Sequence, residues 1–154
     1  MEDLEIVFDP LPPDPLRQFI TNHVSAFGIA RTGIDAGHPI GFFLKSSQGE
    51  WLGGLLGYAW GGWMNVQFLW LAEEARGRRN GSRLMDAAED FAISRGCFAA
   101  TLETHSYEAL GFYQKRGYEV FGALEDYPPG HTKYFLRKRL ARPILSCETP
   151  CPGT

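Results

Sequence analysis

The chain has 154 residues, the length of one ordinary domain, and its 44% hydrophobic and 21% charged residues allow a packed core with a soluble surface. The formal net charge is −3, so no overall basic field points to a nucleic-acid partner. No apolar run reaches the roughly 18 residues that a membrane-spanning helix needs, which argues against a membrane protein.

The cysteines and the two ends of the chain give expectations about its cellular location and its domain boundary. The chain begins with the acidic segment MEDLEIVFDP, which lacks the basic region of a signal peptide. The three cysteines show neither a disulfide framework nor metal-ligand spacing, so we expect no metal site and a cytoplasmic location. Residues 142–154 contain Pro, Ser and Thr without periodicity, and we expect a disordered tail after a single domain over residues 1–141.

The first elements are a short strand and a helix. Residues 4–9 have a strand pattern. Asp14 is a candidate N-cap with Pro15 at the first helical position, and apolar residues then recur at helical spacing. We expect this helix to end at Gly28.

Three short apolar segments follow, separated by turn-forming residues at 46–49 and at Gly61-Gly62. Turns of this length connect antiparallel neighbours, so the segments predict a three-stranded meander. The segments are residues 40–45, 50–58 and 64–71.

Helices and strands alternate in the second half of the chain. From Gly81 onward, apolar residues three and four apart predict an amphipathic helix that ends at Gly96. We expect a further helix from Ser106 to Arg116, with Ser106 as its cap. Such alternation requires partly parallel strand pairing, which predicts a mixed α/β fold. The remaining predicted strands are residues 97–104, 118–124 and 134–140.

The turn before the amphipathic helix has the character of an anion site. The first amides of a helix lack internal partners, and the helix dipole is positive there. Gly77 and Gly81 let the backbone approach a ligand closely. These features favour a phosphate or pyrophosphate, although a solvated charged loop is the alternative. The arginines of this region are Arg76, Arg78, Arg79 and Arg83.

Two sequence blocks resemble the GNAT superfamily of N-acetyltransferases. Arg76-x-x-Arg79-x-Gly81-Ser82 is similar to the family's acetyl-CoA signature, Gln/Arg-x-x-Gly-x-Gly/Ala. The segment from Ser106 to Tyr118 is similar to the family's Asn-x-x-Ala-x-x-Phe-Tyr-x-x-x-Gly-Phe. Arg79 stands where the family usually has its first loop glycine, so its side chain must point away from the ligand. Ser106 stands where the family often has Asn.

The resemblance implies a GNAT-like α/β fold, in which a central mixed β-sheet is flanked by helices and splays apart to admit acetyl-CoA. Backbone amides from Gly77 to Ser82 would hold the pyrophosphate, and the strand edge at Leu69 and Leu71 would pair with the pantetheine arm. A homodimer is also compatible with the resemblance. The cofactor-binding residues implied in this way are Leu69, Leu71, Arg76, Gly77, Arg78, Arg79, Asn80, Gly81, Ser82, Ser106 and Tyr113.

The resemblance also places Tyr113 where many family members keep a tyrosine near the thiolate sulfur. A phenol has an ordinary pKa of about 10, so it stays protonated at neutral pH and can act as a catalytic proton donor. The alternative is that Tyr113 only packs beside Phe112 on an amphipathic helix.

The sequence leaves the general base open. Asn65 occupies the strand position where some family members have a glutamate, and neither Asn65 nor Gln67 can accept a proton. Glu103 is the nearest acidic candidate for a catalytic role, although a surface or helix-capping role fits it equally well. His105 and His131 are further candidates because neutral imidazole accepts protons near pH 7. Without a dedicated base, the amine would lose its proton to solvent.

Aromatic side chains beside polar amides suggest a pocket for a cationic amine, although tryptophans of a meander more often belong to a core or an interface. We expect direct transfer of an acetyl group from acetyl-CoA to a primary amine of a small molecule, without nucleic-acid or membrane partners. The alternatives are a protein or peptide N-acetyltransferase and an inactive acetyl-CoA-binding regulatory module. The candidate substrate-binding residues are Trp60, Trp63, Asn65, Gln67, Tyr127 and His131.

Overall fold

The computed structural model describes residues 4–140. The tail expected over residues 142–154 lies outside the described residues. The chain divides between Ala36 and Gly37 into two compact units. Of the helices formed by the described residues, none combines the length and the apolar character needed to cross a bilayer.

The amino-terminal unit contains one helix, α1 (Asp14–Thr32). Its N-cap is Pro13, so the expected capping role of Asp14 is wrong by one position. The helix runs through Gly28 and ends at Gly33, which adopts the left-handed conformation at φ 66° and donates its backbone N–H to Ile29. The expected end at Gly28 is therefore wrong, because Gly33 supplies the left-handed residue that a helix end commonly uses.

Residues 4–9 do not form the expected strand, and their side chains are exposed. A strand needs a partner backbone to satisfy its N–H and C=O groups, and none of the described strands pairs with this segment. An apolar alternation in the sequence cannot supply that partner.

The second unit contains a six-stranded sheet in the order β1-β2-β3-β4-β6-β5. Only the β3–β4 pair is parallel among the described neighbours, and β1 to β3 form the expected antiparallel meander. The mixed α/β prediction is confirmed. The strands are β1 (His38–Lys45), β2 (Trp51–Trp60), β3 (Trp63–Leu71), β4 (Ala99–His105), β5 (Glu119–Glu125) and β6 (Thr132–Arg139).

Two helices and one short 3-10 turn connect these strands. The 3-10 turn (Glu73–Ala75) and α2 (Asn80–Ser94) follow β3, and α3 (Leu110–Lys115) follows β4. The expected helix cap at Ser106 is wrong, since α3 begins after Ala109. Ser106 instead accepts a hydrogen bond from the backbone N–H of Thr132 at 3.1 Å, which fixes the turn before α3 to the start of β6.

The sheet opens between β3 and β4. Their ladder runs from Trp63 opposite Ala99 to Val66 opposite Leu102, and both strands then continue without pairing to each other. On the other side of β3, the register with β2 shifts between Leu56 and Gly57, which leaves Gln67 as an extra residue. Such a bulge bends a strand and increases its twist. The bend at Gln67 therefore accounts for the split that begins there.

Helix α2 covers one face of this sheet. Its side chains Met85 and Ala88 are fully buried in one cluster with Met64 of β3 and Leu102 of β4. Because side chains alternate along a strand, the neighbouring residues point to the other face. That face carries exposed apolar residues on the first three strands, namely Phe43, Leu56, Phe68 and Trp70.

Candidate functional site

A cavity of about 470 Å³ lies where β3 separates from β4. It joins the end of β3, the start of α2 and the segment around α3, so the two sequence blocks meet there. Leu69, Leu71, Arg76, Gly81 and Tyr113 were all predicted from the sequence to bind the cofactor. The full lining is Leu69, Trp70, Leu71, Arg76, Gly81, Tyr107, Glu108, Ala109, Phe112 and Tyr113.

The mouth of α2 presents backbone donors without a side-chain cap. Arg79 is the N-cap residue, and no side chain hydrogen-bonds to the first turn. The side chain of Asn80 turns away, since its amide donates to the Ala75 carbonyl at 2.9 Å and its oxygen accepts from Arg83 at 3.1 Å. Together with the dipole of a 15-residue helix, these unpaired amides can hold an anion.

Arg79 explains why the signature favours glycine at this position. Its backbone is left-handed, at φ 62° and ψ 10°. A residue with a Cβ pays about 1–2 kcal/mol in this conformation, whereas glycine adopts it freely. Gly77 is also left-handed, at φ 70°. The turn therefore keeps its shape with arginine at position 79, at a cost in strain.

The remaining residues of the turn surround this anion site. The side chains of Arg78, Arg79 and Arg83 are exposed, so their charge reaches solvent near the helix mouth. Arg76 is fixed at the cavity, because its Nε donates to the Leu71 carbonyl at 3.0 Å. The Ser82 carbonyl accepts a hydrogen bond from Arg116 at 3.4 Å.

Gly81 lies where α2, α3 and the end of β3 pack closely around the cavity. A Cβ at this position would lie 3.3 Å from the Phe112 ring and 3.6 Å from a Leu71 methyl group. Glycine thus lets the start of α2 pack directly on α3 and on the end of β3. A larger side chain would push Phe112 into the cavity.

Tyr113 is buried at the inner wall of the cavity. Its ring packs edge-on against Phe112 and Tyr118, with centroids 5.2 and 6.0 Å away. Burial, and then the negative charge of Glu108, raise the pKa of Tyr113 to about 12. The phenol therefore keeps its proton at neutral pH and can act there only as a donor.

A polar and aromatic cluster lies at the carboxyl end of β4. Glu108 accepts hydrogen bonds from the Thr104 hydroxyl at 3.0 Å and from the His105 backbone N–H at 2.8 Å. Burial acts to raise the pKa of Glu108, but these bonds and the adjacent imidazole outweigh it and lower the pKa below its ordinary value. The His105 ring stacks with the rings of Tyr107 and Tyr127, whose centroids lie 5.1 and 6.1 Å away.

Besides Trp70 and Ala109, sequence reasoning missed three lining residues, namely Glu108, Tyr107 and Phe112. All three belong to the second block, and they occupy positions where the family pattern allows variation or where only packing was expected. The available signal was the spacing of Glu108, three residues after His105 in a turn, which lets a side chain return to the backbone N–H.

Glu103 is held away from the cavity lining by an ion pair with Lys133 of the neighbouring strand. That hydrogen bond raises the pKa of Lys133. Lys133 also lies over the Tyr127 ring, 5.0 Å from its centroid. The catalytic role proposed for Glu103 thus competes with a structural ion pair.

The candidate substrate residues fall into two groups. Trp60 and Trp63 pair at the β2–β3 hairpin, and Trp63 packs edge-on against Phe98 at 6.1 Å. Trp63 lies three residues before the end of the β3–β4 ladder, about 10 Å along the strand from the split. The structure therefore does not bring the two tryptophans to the cavity.

The other candidates lie nearer the split. Asn65 is half-buried on β3, and Gln67 is exposed at the bulge. His131 packs edge-on against Tyr107 at 4.9 Å, and its Nδ1 lies 3.4 Å from the Ser106 hydroxyl. Tyr127 contacts the cluster through His105.

Comparison with known proteins gave consistent matches. The sequence model described as the acetyltransferase (GNAT) family matches residues 5–118. Blasticidin-S acetyltransferase of Streptomyces morookaense is 37% identical over 116 residues, which are 73% of this chain and 85% of that protein. Acetyltransferase Atu2258 of Agrobacterium fabrum is 30% identical over 120 residues, 78% of this chain and 88% of that protein. The crystal structure of an acetyltransferase from Bacillus cereus superposes with a TM-score of 0.74 at 27% identity, covering 86% of this chain and 97% of that one.

Proposed function

This chain belongs to the GNAT family of acetyltransferases, and from that premise we propose that it moves the acetyl group of acetyl-CoA directly to a primary amine of a small molecule. The observation that carries the proposal is the cavity at the β3–β4 split. An anion site, a free strand edge and a protonated phenol border this one space. A thioester carrying a diphosphate needs these three features together.

The described residues fit the diphosphate end of acetyl-CoA. The uncapped amides of the α2 mouth are donors, and the surrounding arginines supply positive charge. Arg76 is both part of the cavity lining and fixed to the end of β3. Charge-assisted hydrogen bonds from such groups to phosphate oxygens are stronger than neutral ones.

The end of β3 fits the amide-containing arm of the same molecule. Beyond Val66, β3 no longer pairs with β4, so this edge lacks a strand partner up to Leu71, whose carbonyl accepts a hydrogen bond from Arg76. An extended ligand can add to such an edge as an extra strand. Leu69 and Leu71 would thus hold the arm along the cavity that leads to Tyr113.

Acetyl-CoA supplies an acetyl thioester at this place, and the chain positions it and handles protons. Tyr113 would donate a proton to the sulfur as the thiol leaves, since its raised pKa keeps the phenol protonated. Burial of the tyrosine in the packed core holds the donor in one orientation. Direct transfer from the thioester to the amine needs no covalent enzyme intermediate.

The small-molecule acceptor is supported by the relatives. The 37% identical protein is named for blasticidin-S. A third relative, named IAA acetyltransferase, from Azospirillum brasilense, is 34% identical over 82 residues, or 52% of this chain. Both names refer to small molecules, and this favours a small acceptor over a protein or peptide for this chain.

The proposal is tested by measuring thiol release from acetyl-CoA over a panel of amines. The panel contains an aminonucleoside, polyamines, amino acids and peptides with a free amino terminus, and calorimetry measures acetyl-CoA affinity separately. We expect thiol release with at least one small amine, little with the peptides, and no acetylated protein by mass spectrometry when amine is omitted. Tight acetyl-CoA binding without release from any small amine would refute the proposal, and release with peptides alone would reassign the acceptor.

A further inference from the structure

His105 and Glu108 form a carboxylate–imidazole pair at the carboxyl end of β4. Glu108 Oε2 lies 3.3 Å from the Nδ1 atom of His105, and it also accepts the Thr104 hydroxyl and the His105 backbone N–H. A carboxylate only accepts hydrogen bonds, so in this contact Nδ1 carries the proton. The Nε2 atom then keeps its lone pair and can accept a proton.

The aromatic neighbours hold this ring in place. The rings of Tyr107 and Tyr127 both stack with the imidazole, with interplanar angles of 13° and 7°. Two of the groups that contact His105, namely Tyr107 and Glu108, also line the cavity. The imidazole is therefore oriented by two stacked rings and one carboxylate, beside two residues of the cavity lining.

His105 and Tyr113 approach the split from different sides. Tyr113 packs in the core beside α2. Along β4, Leu102 and Thr104 are buried on that side, so the alternation of the strand places His105 on the other side. A ligand in the split would have the proton donor on one side and an imidazole on the other.

We propose that His105 is the general base that deprotonates the acceptor amine, and that Glu108 is the residue that positions it. This inference rests on the proposed acetyl transfer. It assigns the base to a residue pair on the second block, rather than to Glu103 or to solvent. Glu103 is already held in an ion pair with Lys133.

The proposed step balances as follows. His105 Nε2 takes one proton from the ammonium form of the acceptor, and the freed nitrogen lone pair forms the C–N bond while the C–S bond breaks with its electron pair moving to sulfur. Tyr113 gives a proton to that sulfur and regains one from the new amide nitrogen. His105 releases its proton to water, so each transfer yields one amide, one thiol and one proton.

The other titratable groups around the His105 ring do not favour a different general base. Lys133 is the cross-strand neighbour of His105, and its charge is paired with Glu103. His131 lies against Tyr107, with the Ser106 hydroxyl rather than a carboxylate at its Nδ1. Of the two histidines in the cluster, His105 is thus the one oriented by an anion.

The kinetic test compares His105→Gln and Glu108→Gln with the parent protein, using whichever amine that protein acetylates. For His105→Gln we expect kcat to fall about 100-fold and the acidic limb of the pH–rate profile to disappear, with unchanged acetyl-CoA affinity. For Glu108→Gln we expect kcat to fall about 10-fold, because the imidazole remains but is no longer oriented by a carboxylate. A merely structural role for Glu108 would lower stability without changing which nitrogen of His105 carries the proton.

A second readout needs no turnover. Long-range ¹H–¹⁵N correlation spectra of the free protein report which ring nitrogen carries the proton. We expect the Nδ1–H tautomer for His105 and its loss in Glu108→Gln. His38→Gln, an exposed position at the start of β1, is the matched control and should change neither the kinetics nor the spectrum of His105.

The outcomes separate the two proposals. A parent protein that acetylates no amine overturns the proposed function and the role of His105 with it. Transfer by the parent protein that persists in His105→Gln, with its acidic limb intact, overturns only the assignment of the base. If His105→Gln fails to bind acetyl-CoA, Glu108→Gln decides, and an unchanged kcat together with an unchanged tautomer refutes the inference.

Discussion

Replacement of Glu89 by Gln should weaken the whole second unit. Glu89 lies on α2 with its side chain only 11% exposed. Its carboxylate accepts hydrogen bonds from the Tyr118 hydroxyl at 3.1 Å, from Arg116 at 3.3 Å and from Lys138 at 2.8 Å. One buried anion thus links α2 to the end of α3, to β5 and to β6.

The magnitude follows from the exposure of these partners. Removing one member of a buried ion pair costs about 3–5 kcal/mol, because the other charge stays buried without a partner. Arg116 is 12% exposed but keeps its ion pair with Asp86 at 2.7 Å, and Lys138 is 23% exposed and can recover water. We therefore expect the lower value, a loss of about 3 kcal/mol in the free energy of unfolding.

Urea unfolding followed by tryptophan fluorescence measures this loss, since all four tryptophans lie in the second unit. With a slope of about 2 kcal/mol per M, the midpoint should fall by about 1.5 M. Asp86→Asn is the matched control, because Asp86 binds the same arginine from the same helix but is 63% exposed. Its effect should stay below about 1 kcal/mol. Equal midpoint shifts for the two variants would refute the argument from burial.

The other predictions concern the cavity and its turn. Tyr113→Phe should lower kcat about 100-fold in the thiol-release assay without changing acetyl-CoA affinity, and an unchanged kcat would remove the phenol from the reaction. Arg79→Gly should raise the free energy of unfolding, measured in urea, by about 1 kcal/mol because it relieves the left-handed strain. Arg78→Gly is the control and should not raise it. Equal effects of the two variants would contradict the strain at position 79. Because the pKa of Glu108 is lowered in the folded protein, its ionised form stabilises the fold. This contribution is present above the unfolded pKa of about 4.3 and is lost as the pH falls through the folded pKa. The difference between the urea midpoints measured at about pH 5 and about pH 3 should therefore be smaller in Glu108→Gln than in the parent protein.

Much of the fold follows from local patterns. The meander, the amphipathic helix after the basic turn, and the alternation that requires a parallel pair could all be predicted, because each depends on apolar periodicity and on turn residues a few positions apart. Helix ends were less predictable, as Gly28 and Ser106 show. A glycine or a serine permits an end or a cap, but the packing of the surrounding chain selects which one is used.

The candidate site, too, was predictable from the sequence only in part. The signature at Arg76 to Ser82 and the position of Tyr113 are contiguous sequence patterns, so their place on one cavity could be expected from resemblance. The sequence grouped Trp60 and Trp63 with Asn65 as aromatic side chains beside a polar amide. Along a strand, however, each residue adds about 3.3 Å, and the split begins only after the hairpin.

The sequence alone determined the helices, most strands and the basic turn, because neighbouring residues encode them through spacing and conformational preference. Three features depended on the tertiary structure. The sheet opens at the Gln67 bulge, Lys133 forms an ion pair with Glu103, and the Glu108 carboxylate hydrogen-bonds to the ring of His105. These outcomes depend on strand register and on side chains from distant segments. A local pattern carries no information about which segments will meet.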